Sequence, residues 1–164
     1  MTAPTTTPFE PGFFQALARL HGHRCPMSIL GAHLGLAARA ALGAGPGQRL
    51  TAVYRHQTCA LDGIQLATGC TAGNGNLQVH RRGEHRLLLC REGSASGVEA
   101  ELTEHALARG QAYGGLRAEA EAAPPGTPER LRADVALEDL LRELEAAPAE
   151  ELVSVRAASA GGGP

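Results

Sequence analysis

The segment that most constrains the fold is residues 26–42, in which a proline opens a long and mostly apolar helix. Pro26 suits the first turn of a helix, because the amide that proline lacks would have no partner there. Leu42-Gly43 is a typical helix end. Gly31 and Gly35 lie about one turn apart and leave a flat stripe on one side of this helix. The stripe predicts a close helix–helix contact, either within one chain or between two chains.

The remaining pattern of apolar residues predicts helices and strands that do not strictly alternate. We expect further helices at 9–20, 59–68, 103–121 and 135–144, strands at 50–54, 77–80, 85–90 and 97–102, and a short capped segment at 148–153. Arg82-Gly83, between the second and third strands, indicates a hairpin. The pattern predicts an α+β fold with one core domain, residues 9–156, in which helices pack on a small antiparallel sheet. Residues 1–8 are predicted to be disordered, and residues 157–164 to form a flexible tail.

Composition excludes several classes of function. The net charge of −2 gives no general attraction to nucleic acid or to membrane phosphates. All 15 basic residues are arginines, which excludes a Schiff-base lysine and a lysine-containing P-loop. No apolar run reaches the roughly 18 residues of a membrane span, and the first residues show no secretory signal. We therefore expect a cytoplasmic protein with reduced cysteines that binds neither nucleic acid nor membrane.

The strongest chemical signal is the stretch His21-Gly22-His23-Arg24-Cys25-Pro26. Cys25 directly precedes the predicted helix start, where the helix dipole and unpaired amides stabilise a thiolate. His21, His23 and Cys25 alternate along the chain, and in an extended segment such residues project to the same side. Two or three of them could therefore converge on one zinc, iron, cobalt, nickel or copper ion. The alternative is that both histidines are exposed or cap a helix.

A second group of candidate ligands surrounds Cys59. This cysteine also precedes a predicted helix, and Asp62 lies in the first turn, where its carboxylate could orient a histidine. His56 comes three residues before Cys59 and could reach the same cluster. Cys70 follows Cys59 by 11 residues, a separation of about 16 Å if the chain between them is helical. Either the chain turns back, or Cys70 serves the site of another subunit, or Cys70 serves no site.

The other candidates carry weaker signals. Cys90 ends an apolar strand and is predicted to be buried, and His33 lies in the middle of a helix, where a core histidine is expected. The loop Gly73-Asn74-Gly75-Asn76 could present backbone amides to an anion or a carbonyl group. We therefore include Asn76 among the candidates for cofactor binding.

Several motifs that follow one another in order make the chain similar to a known family. Residues 20–26, 59–65, 68–71 and 73–77, together with the closing residues 148–155, resemble the FmdE-like family, whose name comes from a component of formylmethanofuran dehydrogenase. The resemblance implies an α+β core that forms intertwined homodimers, with histidines and cysteines around a metal-binding active site. By position, the matching residues are His21, His23, Cys25, Cys59 and Cys70.

Departures from the family pattern bear on the site. Met27 replaces the glycine that usually follows Cys-Pro, and it either narrows the pocket or offers a thioether. His56 lies in a stretch that is usually acidic and amide-bearing, where it adds a ligand candidate. Both residues are counted as candidates for cofactor binding. We expect no zinc-ribbon extension, since no cysteine pair follows Cys90.

Together these features predict a transition-metal-binding accessory or redox protein, associated with an oxidoreductase of the molybdenum or tungsten type. Three residues are the catalytic candidates: Cys25 as ligand or nucleophile, His23 as ligand or proton carrier, and Asp62 as the carboxylate behind a histidine. Zinc is the expected ion, with iron or haem as the alternative, which Met27 would suit. The other hypotheses are a metal or haem carrier or sensor without catalysis, an enzyme in its own right, and a structural protein stabilised by zinc.

Overall fold

The computed structural model describes residues 9–160, which form one α+β domain. The fold class predicted from the sequence is confirmed, while residues 1–8 and 161–164 lie outside the described range. The helices are α1 (Phe13–His21), α2 (Pro26–Leu42), α3 (Ala60–Thr68), α4 (Glu104–Ala122), α5 (Pro128–Ala146) and α6 (Ala149–Leu152). The strands are β1 (Leu50–Tyr54), β2 (Leu77–Val79), β3 (Arg86–Arg91), β4 (Ser96–Leu102) and β5 (Val153–Ser159).

The five strands form one sheet in the order β2-β1-β3-β4-β5. Neighbouring strands are antiparallel except β1 and β2, which run in parallel. Residues in β1 alternate between buried and half-buried positions, as expected for a strand with one face toward the core. Leu87 and Leu89 of β3 and Ala100 of β4 are fully buried on that core side, where α2 packs across both strands.

The hairpin predicted between residues 77–80 and 85–90 is wrong. β2 pairs in parallel with one edge of β1, whereas β3 pairs antiparallel with the other edge. The physical reason is α3, which carries the chain back to the end of the sheet where β1 began, so that β2 enters in the same direction as β1. Residues 80–85 then cross the far end of β1, where the amides of Arg82 and Glu84 donate to the carbonyl of Arg55. The chain does turn at Arg82-Gly83, as predicted, but the strands that this turn connects lie on opposite sides of β1.

Helix α2 is the centre of the core and is buried over most of its length. Leu30 and Leu34, both fully buried, pack into the hydrophobic core formed with the sheet. Toward α3 the two helices meet through their backbones, because a Cβ added to Gly31 would lie 2.0 Å from the carbonyl oxygen of Ala60. On the other helix, a Cβ added to Gly63 would lie 2.0 Å from the carbonyl oxygen of Ser28. The glycine stripe of α2 is therefore used for a contact within one chain.

The C-terminal third contains more helix and strand than its composition indicates. The helix expected at 135–144 begins at Pro128, directly after Thr127, whose side chain accepts the amide of Arg130 as a cap. Although α4 and α5 each contain 19 residues, no helix in residues 9–160 has the length and apolar character needed to cross a bilayer. Strand β5 pairs with β4 as far as Ser159, so residues 157–159, assigned to a flexible tail from composition, belong to the sheet.

The backbone contact between α2 and α3 gives a test of the fold. Gly31→Ala should lower the free energy of unfolding by more than about 2 kcal/mol, because the new methyl group collides with backbone that cannot rotate away. Gly114→Ala is the matched control, since this exposed helical glycine has nothing within 4 Å of an added Cβ. The control should stabilise α4 by up to about 1 kcal/mol. Urea unfolding monitored by circular dichroism measures both, and equal effects of the two substitutions would contradict the packing described.

Candidate metal centre

The turn between α1 and α2 places a histidine beside a cysteine. α1 ends at His21 because Gly22 adopts a left-handed conformation with φ of 92° and returns its amide to the carbonyl of Ala18. The chain then extends to Cys25, which has φ of −143° and ψ of 135° and is the N-cap residue of α2. Pro26 follows at the start of α2, as predicted. His21 and Cys25 therefore face each other across one tight corner.

Cys59 joins this pair because it is the N-cap residue of α3. The contact of Gly31 with Ala60, the residue after Cys59, draws the N-terminus of α3 against the first turns of α2. One nitrogen of His21 and the sulfur atoms of Cys25 and Cys59 all lie within 4.8 Å of one another. This is the spacing of three ligands around one point, with the N/S donor set that zinc and other borderline transition metals prefer.

Asp62 fixes the orientation of the His21 ring. Its Oδ2 atom lies 2.7 Å from Nδ1 of His21, and since a carboxylate can only accept, Nδ1 carries the proton. In the neutral ring Nε2 then carries the lone pair, and this atom is buried without a hydrogen-bond partner in residues 9–160. The side-chain Nε2 of Gln65 donates to Oδ1 of Asp62 at 3.2 Å. The Oε1 atom of Gln65 accepts from the amide of Ala72. Asp62 thus lies where the sequence predicts it, as the carboxylate behind a histidine.

The thiols of Cys25 and Cys59 interact electrostatically. Cys59 is exposed as a residue, but the partial burial of its thiol raises its pKa above the usual value of 9.0, and the adjacent Cys25 raises it further. A Cys25 thiolate therefore disfavours ionisation of Cys59. A divalent cation between the two sulfurs would remove this repulsion and favour both thiolates.

Two of the five predicted metal ligands lie outside the three-residue cluster. His23 is exposed and lies beside His21, with ring centroids 4.6 Å apart, so it stands at the mouth of the site. Cys70 is 1% exposed in the hydrophobic core, where burial raises the pKa of its thiol. α3 ends at Thr68 and Gly69 turns the chain, which is one of the alternatives left open by the sequence, but the turn directs Cys70 into the core.

The candidates for cofactor binding make other contacts in the fold. Met27 packs against the hydrophobic core. The ring of His56 packs at an angle of 48° beside that of His85, with ring centroids 4.8 Å apart. Burial, and then the neighbouring His56, lowers the pKa of His85. The amide of Asn76 donates to Asn74, and its carbonyl accepts from β1. The backbone of Asn76 is thus already engaged within the protein.

Two further residues behave as the sequence predicts. Cys90 is buried in β3 with 3% exposure. His33 is a core histidine whose Nε2 donates to the carbonyl of Leu144 at 2.7 Å, and burial lowers its pKa, which favours the neutral ring. His33 borders a cavity of about 870 Å³ along the C-terminal half of α2, walled by Phe9, Phe13 and Phe14. Its lining includes none of the three clustered residues.

Sequence reasoning missed the residue that anchors the loop, Arg24. Its guanidinium donates to both carboxylate oxygens of Glu138, at 2.6 and 2.7 Å, and to Glu145 at 2.9 and 3.0 Å. The loop between His21 and Cys25 is thereby held against α5. The available signal was the position of Arg24 inside the motif, but its partners follow more than 100 residues later, and no sequence spacing links them.

The Arg24 anchor gives a pH-dependent prediction. Hydrogen bonding to Arg24 lowers the pKa of Glu138 below its ordinary value of 4.5. A carboxylate with a lowered folded pKa stabilises the protein above its unfolded pKa, and the contribution is lost as the pH falls through the folded pKa. Glu138→Gln should therefore lower the free energy of unfolding at neutral pH, and its difference from the parent should shrink as the pH falls below 4.5 and vanish once the pH lies below the folded pKa of Glu138.

Urea titrations at several pH values measure this difference. Glu121→Gln, which removes a carboxylate from an exposed pair with Arg117 on α4, is the control and should change stability little. A stability difference for Glu138→Gln that stays constant with pH would contradict the anchoring role.

Comparisons with known proteins agree with the fold and with the motifs. The family described as FmdE, molybdenum formylmethanofuran dehydrogenase operon, matches residues 20–154. A curated relative from Archaeoglobus fulgidus, a probable S-adenosyl-L-methionine-binding protein, is 36% identical over 84 residues, which cover 48% of this chain and 23% of the relative. The chain thus spans less than a quarter of that protein.

A solved structure shares the fold. It is a tungsten formylmethanofuran dehydrogenase FmdE-like protein from Syntrophus aciditrophicus, with a TM-score of 0.63 and 22% sequence identity. The likeness covers 97% of this chain and 77% of that one. Because the family match extends over most of the described residues, the chain belongs to the FmdE family.

Proposed function

We propose that this chain binds one transition-metal ion through His21, Cys25 and Cys59, and that it serves as an accessory or redox protein to an oxidoreductase of the molybdenum or tungsten type. Two observations carry the metal site: one nitrogen of His21 and the sulfur atoms of Cys25 and Cys59 lie within 4.8 Å of one another, and the buried Nε2 of His21 has no hydrogen-bond partner in residues 9–160. The link to an oxidoreductase rests on the family, whose description refers to a molybdenum formylmethanofuran dehydrogenase operon.

Three protein ligands leave one position of a tetrahedral ion open, which is the arrangement of catalytic rather than structural zinc sites. Zinc is the proposed ion, and when bound it would supply a Lewis acid beside the open position. His23, exposed at the mouth, is suited to carry protons between solvent and the site. Cys70 is left out of this ligand set because its thiol is enclosed by the core. The intertwined homodimer implied by the resemblance remains part of the proposal.

The residues around the ion have separate tasks. Asp62 holds the proton on Nδ1 of His21 and so keeps Nε2 available as a ligand. Arg24, through its bonds to α5, keeps the loop from His21 to Cys25 in place. Both contacts are made by the protein's own side chains, which hold the histidine ring and the loop in place.

Metal analysis with an absorption spectrum, on protein purified without a histidine tag, tests the proposal. We expect about one ion per chain, and Cys25→Ser or Cys59→Ser should abolish its retention, since each removes a ligand. Cys70→Ala is the matched control and should retain the ion. Full occupancy in Cys25→Ser would contradict the assigned site, and a haem spectrum would contradict the choice of zinc.

The carboxylate of Asp62 gives a graded test of the same site. Asp62→Asn should weaken metal affinity about 10- to 100-fold, because the amide no longer supports the basicity and orientation of His21. A competition titration against a chromogenic chelator measures the affinity. Asp134→Asn is the control, since Asp134 pairs with Arg130 on the exposed side of α5. An affinity for Asp62→Asn equal to that of the control would show that Asp62 does not act on the ligand.

A further inference from the structure

We propose that Cys25 and Cys59 form a reversible disulfide, so that oxidation converts the reduced metal site into a disulfide and releases its ion. The disulfide is argued from the positions of the two thiols, and only the release of the ion rests on the proposed function. Both sulfur atoms belong to a cluster whose members lie within 4.8 Å of one another. They come from two different helices, so a bond between them would join the starts of α2 and α3.

The helix contact makes bond formation feasible without unfolding. The backbones of α2 and α3 touch at Gly31 and at Gly63, so the two N-cap cysteines are carried on segments already held together. A disulfide needs a sulfur–sulfur distance of about 2.05 Å. The remaining gap is of the size that rotation of the two side chains can close. The carbonyls of Cys25 and Cys59 accept from the amides of Ile29 and Asp62, and rotation of the two side chains leaves these backbone hydrogen bonds intact.

Exposure makes the reaction selective. Cys59 is exposed and Cys25 is half-buried, whereas Cys70 and Cys90 are 1% and 3% exposed. Disulfide exchange requires a thiolate that an incoming disulfide can reach in line. Of the four thiols, Cys59 is therefore the point of entry for a small disulfide, and Cys25 is the neighbour that resolves the adduct.

Written with glutathione disulfide as the oxidant, the reaction has two exchange steps. The Cys59 thiolate attacks one sulfur of glutathione disulfide, the bond between the two glutathiones breaks, and one glutathione thiolate leaves. The Cys25 thiolate then attacks the sulfur of Cys59, and the second glutathione thiolate leaves. The two cysteines lose two electrons and glutathione disulfide gains them, while the thiol protons pass to solvent or to the departing thiolates. His21 alone then remains of the ligand set, which is too little to retain an ion.

The test uses the full chain, reduced and stripped of metal, incubated with glutathione disulfide and then alkylated. Buried Cys70 is replaced by alanine because trypsin leaves it together with Cys59 in the peptide 56–81. Buried Cys90 is replaced as well, so that Cys25 and Cys59 are the two remaining thiols. We expect both remaining thiols to be lost and peptide 25–39 to appear linked to peptide 56–81. Cys25→Ser should instead accumulate a stable glutathione adduct on Cys59, since the resolving thiol is gone.

A persistent glutathione adduct on Cys59 with Cys25 present, or two free thiols after incubation, would overturn the proposal. Disulfides only between chains would also overturn it. The same treatment of zinc-loaded protein should release one ion for each disulfide formed. Because metal content of the reduced protein is measured separately, a chain that forms the disulfide but never binds metal refutes the proposed function and leaves the disulfide standing. A chain that binds metal but forms no disulfide refutes the disulfide and leaves the proposed function standing.

Discussion

The direct backbone contact between α2 and α3 is the constraint on which the rest of the structure depends. Any side chain larger than hydrogen at Gly31 or Gly63 would meet a carbonyl oxygen at 2.0 Å. This close approach places the start of α3 against the first turns of α2, and each start carries a cysteine as its N-cap. It also sets α3 on the path that makes β2 parallel to β1. The thiol pair and the direction of β2 therefore both depend on one contact.

Local sequence signals predicted the elements that depend on neighbouring residues. The bounds of α2 follow from Pro26 and Gly43, and β1 from its alternation. What local signals cannot supply is the choice among distant partners, and the hairpin error shows this clearly. The turn at Gly83 is correct, yet the strands beside it pair with opposite edges of β1 because α3 decides how the chain returns.

The same limit applies to the site. His21, Cys25, Cys59 and Asp62 were identified from residue type and position near helix starts, and all four meet. Cys70 was included because its motif resembles that of the family, but its side chain lies in the hydrophobic core after α3. This direction depends on the packing of the core and not on neighbouring residues in the sequence. The partners of Arg24 lie on α5, where acidic residues are common and nothing in the sequence distinguishes the two that matter.

The Arg24 anchor also bears on the order in which the protein is made. The three clustered residues are all translated by position 59, whereas Glu138 and Glu145 follow far behind. A nascent chain leaving the ribosome thus displays its histidine and thiols to solvent well before the helix that steadies their loop exists. If the chain binds an ion as proposed, its capture in the final geometry is a late event of biosynthesis.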